Sequence, residues 1–217
     1  MNNTATVFII DDDQAVRDSL ESLFAAAGYT TESFAGAEAF LATYDPRRPG
    51  CLLLDMQMPG MGGLGLQKAL AERKDSRPII FLTAHGTVPM TVRALKNGAF
   101  DFLEKPADGN ALLDLVSRAI QWNAEERQKE TEHLQALRRC DTLTEREYEI
   151  LKLVVAGKSN KEIGRELDIS HRTVELHRMR VMQKTGTHSV IELAALAQTA
   201  GLTSKTHIPT DTTQEPS

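Results

Sequence analysis

Residues Cys51–Gly60 read CLLLDMQMPG, and this decapeptide decides the fold. Four apolar residues run without a polar break, reach the carboxylate of Asp55, and then meet the Pro59-Gly60 turn signal. A short continuous apolar run bounded by turn residues predicts a strand buried on both faces. The same design recurs along the first half of the chain. Val7–Ile10 (VFII) precedes Asp11-Asp12-Asp13, Ile79–Leu82 (IIFL) precedes Thr83, and Phe100–Leu103 (FDFL) leads into Lys105-Pro106. A fifth strand is predicted at Thr30–Phe34. Between the strands the apolar period changes. Val16, Leu20, Leu23, Phe24 and Ala27 recur at helical spacing, with Gly28 as the stop. Further helices are predicted at Ala37–Tyr44, Leu64–Arg73, Val88–Asn97 and Ala111–Gln121. Strict alternation of strand and helix implies a parallel sheet covered by helices on both faces.

Ligands of such sheets bind beyond the carboxyl ends of the strands, where strand order reverses. The residues predicted there are Asp11, Asp12, Asp55, Thr83 and Lys105. Three converging carboxylates repel one another, and a divalent cation removes the conflict. Hard oxygen ligands with room for water suit Mg²⁺. Lys105 brings a fixed positive charge and Thr83 a hydroxyl donor. Together they suit a phosphoryl group carried on a nucleophilic carboxylate, with Asp55 the nucleophile because it ends a central strand.

The chain has 217 residues, enough for two modest domains. With 41% hydrophobic and 25% charged residues it is neither disordered nor a coiled-coil rod. A net charge of -5 excludes a wholly basic nucleic-acid coat. Two cysteines, Cys51 and Cys140, are too few for a disulfide framework or a zinc cluster and are read as small buried or partly exposed thiols. No apolar stretch of bilayer length lacks a charge, and the amino terminus has no signal-peptide pattern. A cytoplasmic protein without membrane contact is expected.

Composition divides the chain. All seven Phe lie before Ala107, and no Pro falls between Ala107 and Ile208. The second part is therefore read as all-helical. Thr144 with Glu147, Ser159 with Glu162 and Ser189 with Glu192 each fit a capping box. Asn160–Leu167, a short turn and Arg172–Lys184 form a helix-turn-helix pattern. From His171 to Lys184 there are four Arg or Lys and one Glu, a basic element inside an acidic protein. Val174 and Val181 are expected to pack on Ile163, Leu167 and Ile169. The opposite face then shows Arg172, Glu175, Leu176, Met179 and Gln183, flanked by Arg178, Arg180 and Lys184. Cations at the edges and mixed side chains at the centre suit entry into the major groove of double-stranded DNA. Lys129–Asp141 lacks Gly and Pro and is expected to continue the preceding helix. Along that helix the a/d-like positions Asn123, Arg127 and Glu130 are polar, which argues against a coiled-coil dimer seam.

Residues 1–122, with IIDDD, LLLDMQMPGMGG and FLTAHGTVPMTVRALKNGAFDFLEKP, resemble the receiver domain of two-component response regulators. The resemblance implies a flavodoxin-like α/β fold with strand order 2-1-3-4-5 and phosphorylation of Asp55 by a sensor histidine kinase. It implies Mg²⁺ held by Asp11, Asp12, Asp55 and the backbone carbonyl of Gln57. Thr83 and Phe102 become a switch pair, Phe102 standing where Tyr is common, and Lys105 binds the phosphoryl group. It also implies a cis Lys105-Pro106 peptide, and a homodimer on phosphorylation through Met90, Val92, Lys96 and Asp101. Ala107-Asp108 stands where a Phe is usual, which leaves the packing there open.

The stretch from Leu143 to Gly186 resembles the LuxR-type output domain. Receiver plus LuxR-type domain is the architecture of the NarL/FixJ family, and the chain is most similar to its FixJ-like branch, which includes regulators of aromatic-compound degradation. The expected organisation is a receiver at 1–122, a helical linker at 123–140, the helix-turn-helix domain at 141–203 and a disordered tail at 204–217. By resemblance Glu175, Leu176 and Met179 read bases. Lys161, Thr173 and Lys184 are phosphate or positioning contacts. A transcription regulator is expected, not an enzyme, with RNA polymerase open as a further partner. An aspartyl-phosphate phosphohydrolase would use the same carboxylates, but Gln57 stands where it needs a second Asp, and no cap domain is evident. A protein-binding adaptor is disfavoured by the basic helix.

Overall fold

The computed structural model describes residues 5–84 and 88–202, so the tail expected to be disordered lies outside them. Two compact units divide the chain between Gln128 and Lys129.

In the first unit, five strands alternate with helices. The strands are β1 (Thr6–Ile10), β2 (Thr30–Phe34), β3 (Gly50–Asp55), β4 (Ile79–Thr83) and β5 (Asp101–Glu104). The helices are α1 (Gln14–Ala26), α2 (Ala37–Ala42), α3 (Gly62–Glu72), α4 (Val88–Lys96) and the start of α5 (Gly109–Cys140). All strand pairs are parallel, in the order β2-β1-β3-β4-β5. The central strands are buried at every position, which is why their sequences show no alternation. One face packs Phe8, Ile10, Leu52, Leu54 and Phe81 against Phe40, Leu66, Leu70 and Ala94. The other packs Val7, Ile9, Cys51, Leu53, Ile80 and Leu82 against Phe24, Leu112, Leu115 and Val116. Burial pushes the Cys51 thiol up to about 12, so it stays protonated.

Helix α5 runs unbroken for 32 residues and takes in the whole expected linker. Its polar positions are used structurally. Asn123 is buried, accepts a hydrogen bond from Gly50 N and donates to Ser76 O. Arg127 donates to the carbonyls of Pro46 and Arg47. These residues belong to the first unit, which extends past Trp122 to Gln128.

The second unit holds the end of α5 with α6 (Glu145–Val155), α7 (Asn160–Leu167), α8 (His171–Thr185) and α9 (Val190–Thr199). Its core is Ala136, Cys140, Ile150, Leu151, Val154, Ile163, Val174, Val181 and Leu193. The capping boxes at Thr144 and Ser159 form in both directions. The third does not. Ser189 accepts from Glu192 N, but the Glu192 carboxylate accepts from His188 N instead of Ser189 N. Ser170, absent from the sequence reading as a cap, caps α8 by accepting from Thr173 N.

Candidate functional site

Strand order reverses between β1 and β3, so a crevice opens beyond their carboxyl ends. Asp11 follows β1 and Asp55 ends β3, and Asp12 joins them. One carboxylate oxygen of each lies within 4.8 Å of the others. Asp11 and Asp55 are buried and Asp12 is exposed. Asp13, the last of the acidic run, serves the helix instead, since its side chain caps α1 by accepting from Ala15 N and Val16 N.

The loop after β1 is braced from three sides. Asp13 N donates to Asp11 Oδ1 at 3.0 Å, Lys105 Nζ to Asp11 Oδ2 at 2.6 Å, and the buried Arg17 to the Asp11 carbonyl at 2.7 Å. Lys105 also lies 3.3 Å from Asp55 Oδ2. Burial raises the Asp55 carboxyl above its ordinary range, and the Lys105 charge opposes that rise. Burial by itself would lower the Lys105 ammonium, but Asp11, then Asp55, hold it above the ordinary lysine value. Gln57 N donates to Asp55 Oδ1, while the Gln57 side chain faces solvent. Gly63 lets the start of α3 approach, because a Cβ there would stand 2.3 Å from the Asp55 carbonyl oxygen. Glu38, reaching from α2, accepts from Met61 N and fixes the same loop. Arg17 and Glu38 carry no mark in the sequence, and Gly63 is marked only as the last residue of LLLDMQMPGMGG.

Thr83 is buried at the end of β4. Phe102 on β5 pairs in register with Phe81 on β4 and is 36% exposed, so its ring stands partly outside the core. The Lys105-Pro106 peptide is cis. Ala107, one of the two residues whose packing the sequence leaves open, lines with Gly109 a mostly apolar groove of about 710 Å³ between α1 and α5. On the expected dimer face Val92 and Lys96 are exposed, and Met90 and Asp101 are half-buried.

In the second unit, Val174 and Val181 turn α8 inward as expected. Arg172, Glu175, Leu176, Met179 and Arg180 are exposed, Met179 by 58%. Lys161 on α7 is exposed, and Thr173 shares a hydroxyl hydrogen bond with Ser170. Glu175 lies 3.5 Å from His171. Two of the cations are already engaged. Arg178 donates to Asn160 Oδ1 at 2.6 Å, joining α8 to α7. Lys184 Nζ lies 2.6 Å from Glu147 Oε2, joining α8 to α6. The sequence places Lys184 on a DNA phosphate, but this pairing with Glu147 supports a positioning role instead. The Lys184 bond, with that from Thr144 N, holds the buried Glu147 carboxyl down at about 2.

A doubly wound sheet with an acidic crevice, joined to a capped helix-turn-helix with an exposed basic helix, defines a signal-receiving regulator with a DNA-binding output. Comparison with known proteins agrees. Residues 7–117 match the family "Response regulator receiver domain", and residues 141–197 match "Bacterial regulatory proteins, luxR family". The transcriptional regulatory protein TdiR of Thauera aromatica is 44% identical over 88% of this chain and 84% of its own length. FixJ of Bradyrhizobium diazoefficiens is 39% identical over 93% of this chain and 98% of its own. The solved structure of the response regulator StyR is 45% identical, with a TM-score of 0.80 over 90% of this chain and 98% of that one. The chain belongs to the NarL/FixJ family of response regulators, DNA-binding transcription regulators rather than enzymes. Among the described residues no helix is long and apolar enough to cross a membrane.

Proposed function

We propose that Asp55 accepts a phosphoryl group from the phosphohistidine of a sensor histidine kinase, and that this controls transcription from DNA sites bound by α8. The observation that carries the reading is the cluster of Asp11, Asp12 and Asp55 at the strand-order reversal, with Lys105 bonded across it. An Asp55 carboxylate oxygen attacks phosphorus, the phosphorus–nitrogen bond breaks, and the histidine ring leaves with the electron pair. The three carboxylates are hard oxygen donors and fit Mg²⁺, and by the family resemblance the Gln57 carbonyl would join them. The ion would supply charge neutralisation at the phosphoryl oxygens. Lys105 is placed to offer its ammonium to the same oxygens. Thr83 and Phe102 carry the change to the α4–β5 face, where Met90, Val92, Lys96 and Asp101 form a phosphorylation-dependent homodimer.

On α8, Glu175, Leu176 and Met179 read base edges. Arg172, Arg180 and Lys161 contact phosphates, and Thr173, Arg178 and Lys184 set the helix in place. The protein acts in the cytoplasm.

The test is phosphorylation of the full chain by a small phosphodonor with Mg²⁺. One acid-labile phosphoryl group is expected, and Asp55→Asn should abolish it. Unchanged labelling in that variant would assign the nucleophile to Asp11 or Asp12 instead.

A further inference from the structure

Helix α8 packs on α6 and α7 through the buried Val174, Val181 and Thr185. Polar braces at its ends add to that packing and fix its orientation. At the amino end Ser170 caps it, and Arg178 ties it to Asn160. At the carboxyl end the last carbonyls need donors from outside the helix. Gly186 N donates to Gln183 O at 3.3 Å, and Thr187 N donates to Met182 O at 3.0 Å. The chain turns left-handed at Gly186, with φ +62. A cation is favoured here by the helix dipole, but Lys184, the basic residue of the last turn, gives its ammonium to Glu147. Arg139, from the final turn of α5, takes the place. Its Nε donates to Thr185 O at 2.5 Å and its Nη2 to Gly186 O at 3.2 Å. The planar guanidinium engages two consecutive carbonyls, which a lysine cannot do with the same geometry.

We propose that Arg139 is a positioning residue for DNA recognition: it fixes the carboxyl end of α8 and so sets the angle at which Glu175, Leu176 and Met179 meet the bases. The residue lies at the end of the helix that leaves the receiver, 46 positions before the carbonyl it holds. It makes the last turn of α5 a direct structural determinant of the reading helix. Losing the brace lets α8 tilt about its capped amino end. Base contacts need close geometry and suffer, whereas phosphate contacts by flexible side chains do not.

The experiment uses the full chain with Arg139→Ala, Arg139→Lys and the control Arg138→Ala. Each is titrated at several salt concentrations against a duplex selected from a random pool by the native chain, and against its scrambled version. Removing charge-assisted bonds predicts that Arg139→Ala loses about 10-fold on the selected duplex. Affinity for the scrambled duplex and the slope of log K against log salt should stay unchanged. Arg139→Lys should recover part of the loss, and amide exchange at 185–187 should quicken in Arg139→Ala and not in Arg138→Ala. A salt slope lowered by about 1 would make Arg139 a phosphate contact and overturn the proposal. So would equal loss on both duplexes, or no loss on either.

Discussion

Asp12 is the exposed member of the acidic cluster, and the described structure gives its carboxylate no lysine comparable to the one that bridges Asp11 and Asp55. It is therefore the residue through which metal binding is most cleanly tested. Asp12→Ala removes a hard oxygen ligand while Lys105 keeps its two partners, so Mg²⁺ affinity should fall while the fold is kept. Titration of Mg²⁺ into the variant measures this, and an unchanged affinity would remove Asp12 from the metal shell. Glu147 gives a second test, on stability. Its carboxyl is held at about 2 against an ordinary 4.5. A depressed carboxylate stabilises the folded state above its unfolded value, and that contribution is lost as pH falls toward the folded one. Glu147→Gln should therefore unfold at lower temperature than the native chain at pH 7. The gap should close as pH drops from about 4.5 to about 2. A gap independent of pH would mean that the Lys184 pair contributes nothing to folding. The chemical residues of the crevice were legible because each stands at the end of an apolar run. Arg17, Arg139 and the Glu147–Lys184 pair were not. Arg17 acts through a backbone carbonyl, for which sequence carries no mark, and the other two join residues 46 and 37 positions apart.

At the scale of elements, the strands were readable because a parallel sheet buries both faces, so burial shows as unbroken apolar runs. Helices α6, α7 and α9 were readable from their caps, whereas the Ser170 cap of α8 was not. The exception at Ser189 is instructive. The Ser-x-x-Glu spacing is present, yet His188 N competes for the Glu192 carboxylate and wins. A spacing rule shows that two groups can meet and does not rank their competitors. Helix α8 carries the prediction proper to this scale. Met179 and Glu175 lie opposite Val174 and Val181, which are buried, so both point away from the protein. Replacing either with Ala should change the preferred sequence, costing about 1–3 kcal/mol at one base position and little on random DNA. Selection of bound sequences by each variant checks this. If Glu175→Ala lost affinity equally on specific and random duplexes, the helix would meet DNA with a different face.

At the scale of the whole molecule, two compact units share one chain and one helix, α5, contributes to both. The extent of that helix follows from a sequence without Gly or Pro after Gly109, but its engagement at both ends does not. Asn123 and Arg127 look like solvated linker residues in sequence, and only the tertiary structure supplies Gly50, Ser76, Pro46 and Arg47 as their partners. A phosphoryl group can alter DNA binding only by as much as it stabilises one receiver state over another. The central claim is that occupancy of Asp55 sets the affinity of α8 for DNA. The direct measurement is the affinity of the full chain for its selected duplex, with and without a small phosphodonor and Mg²⁺, in the native protein and in Asp55→Asn. Tighter binding is predicted on treatment of the native protein, and no change in the variant. Equal tightening in both, or none in a fully phosphorylated native protein, would contradict it.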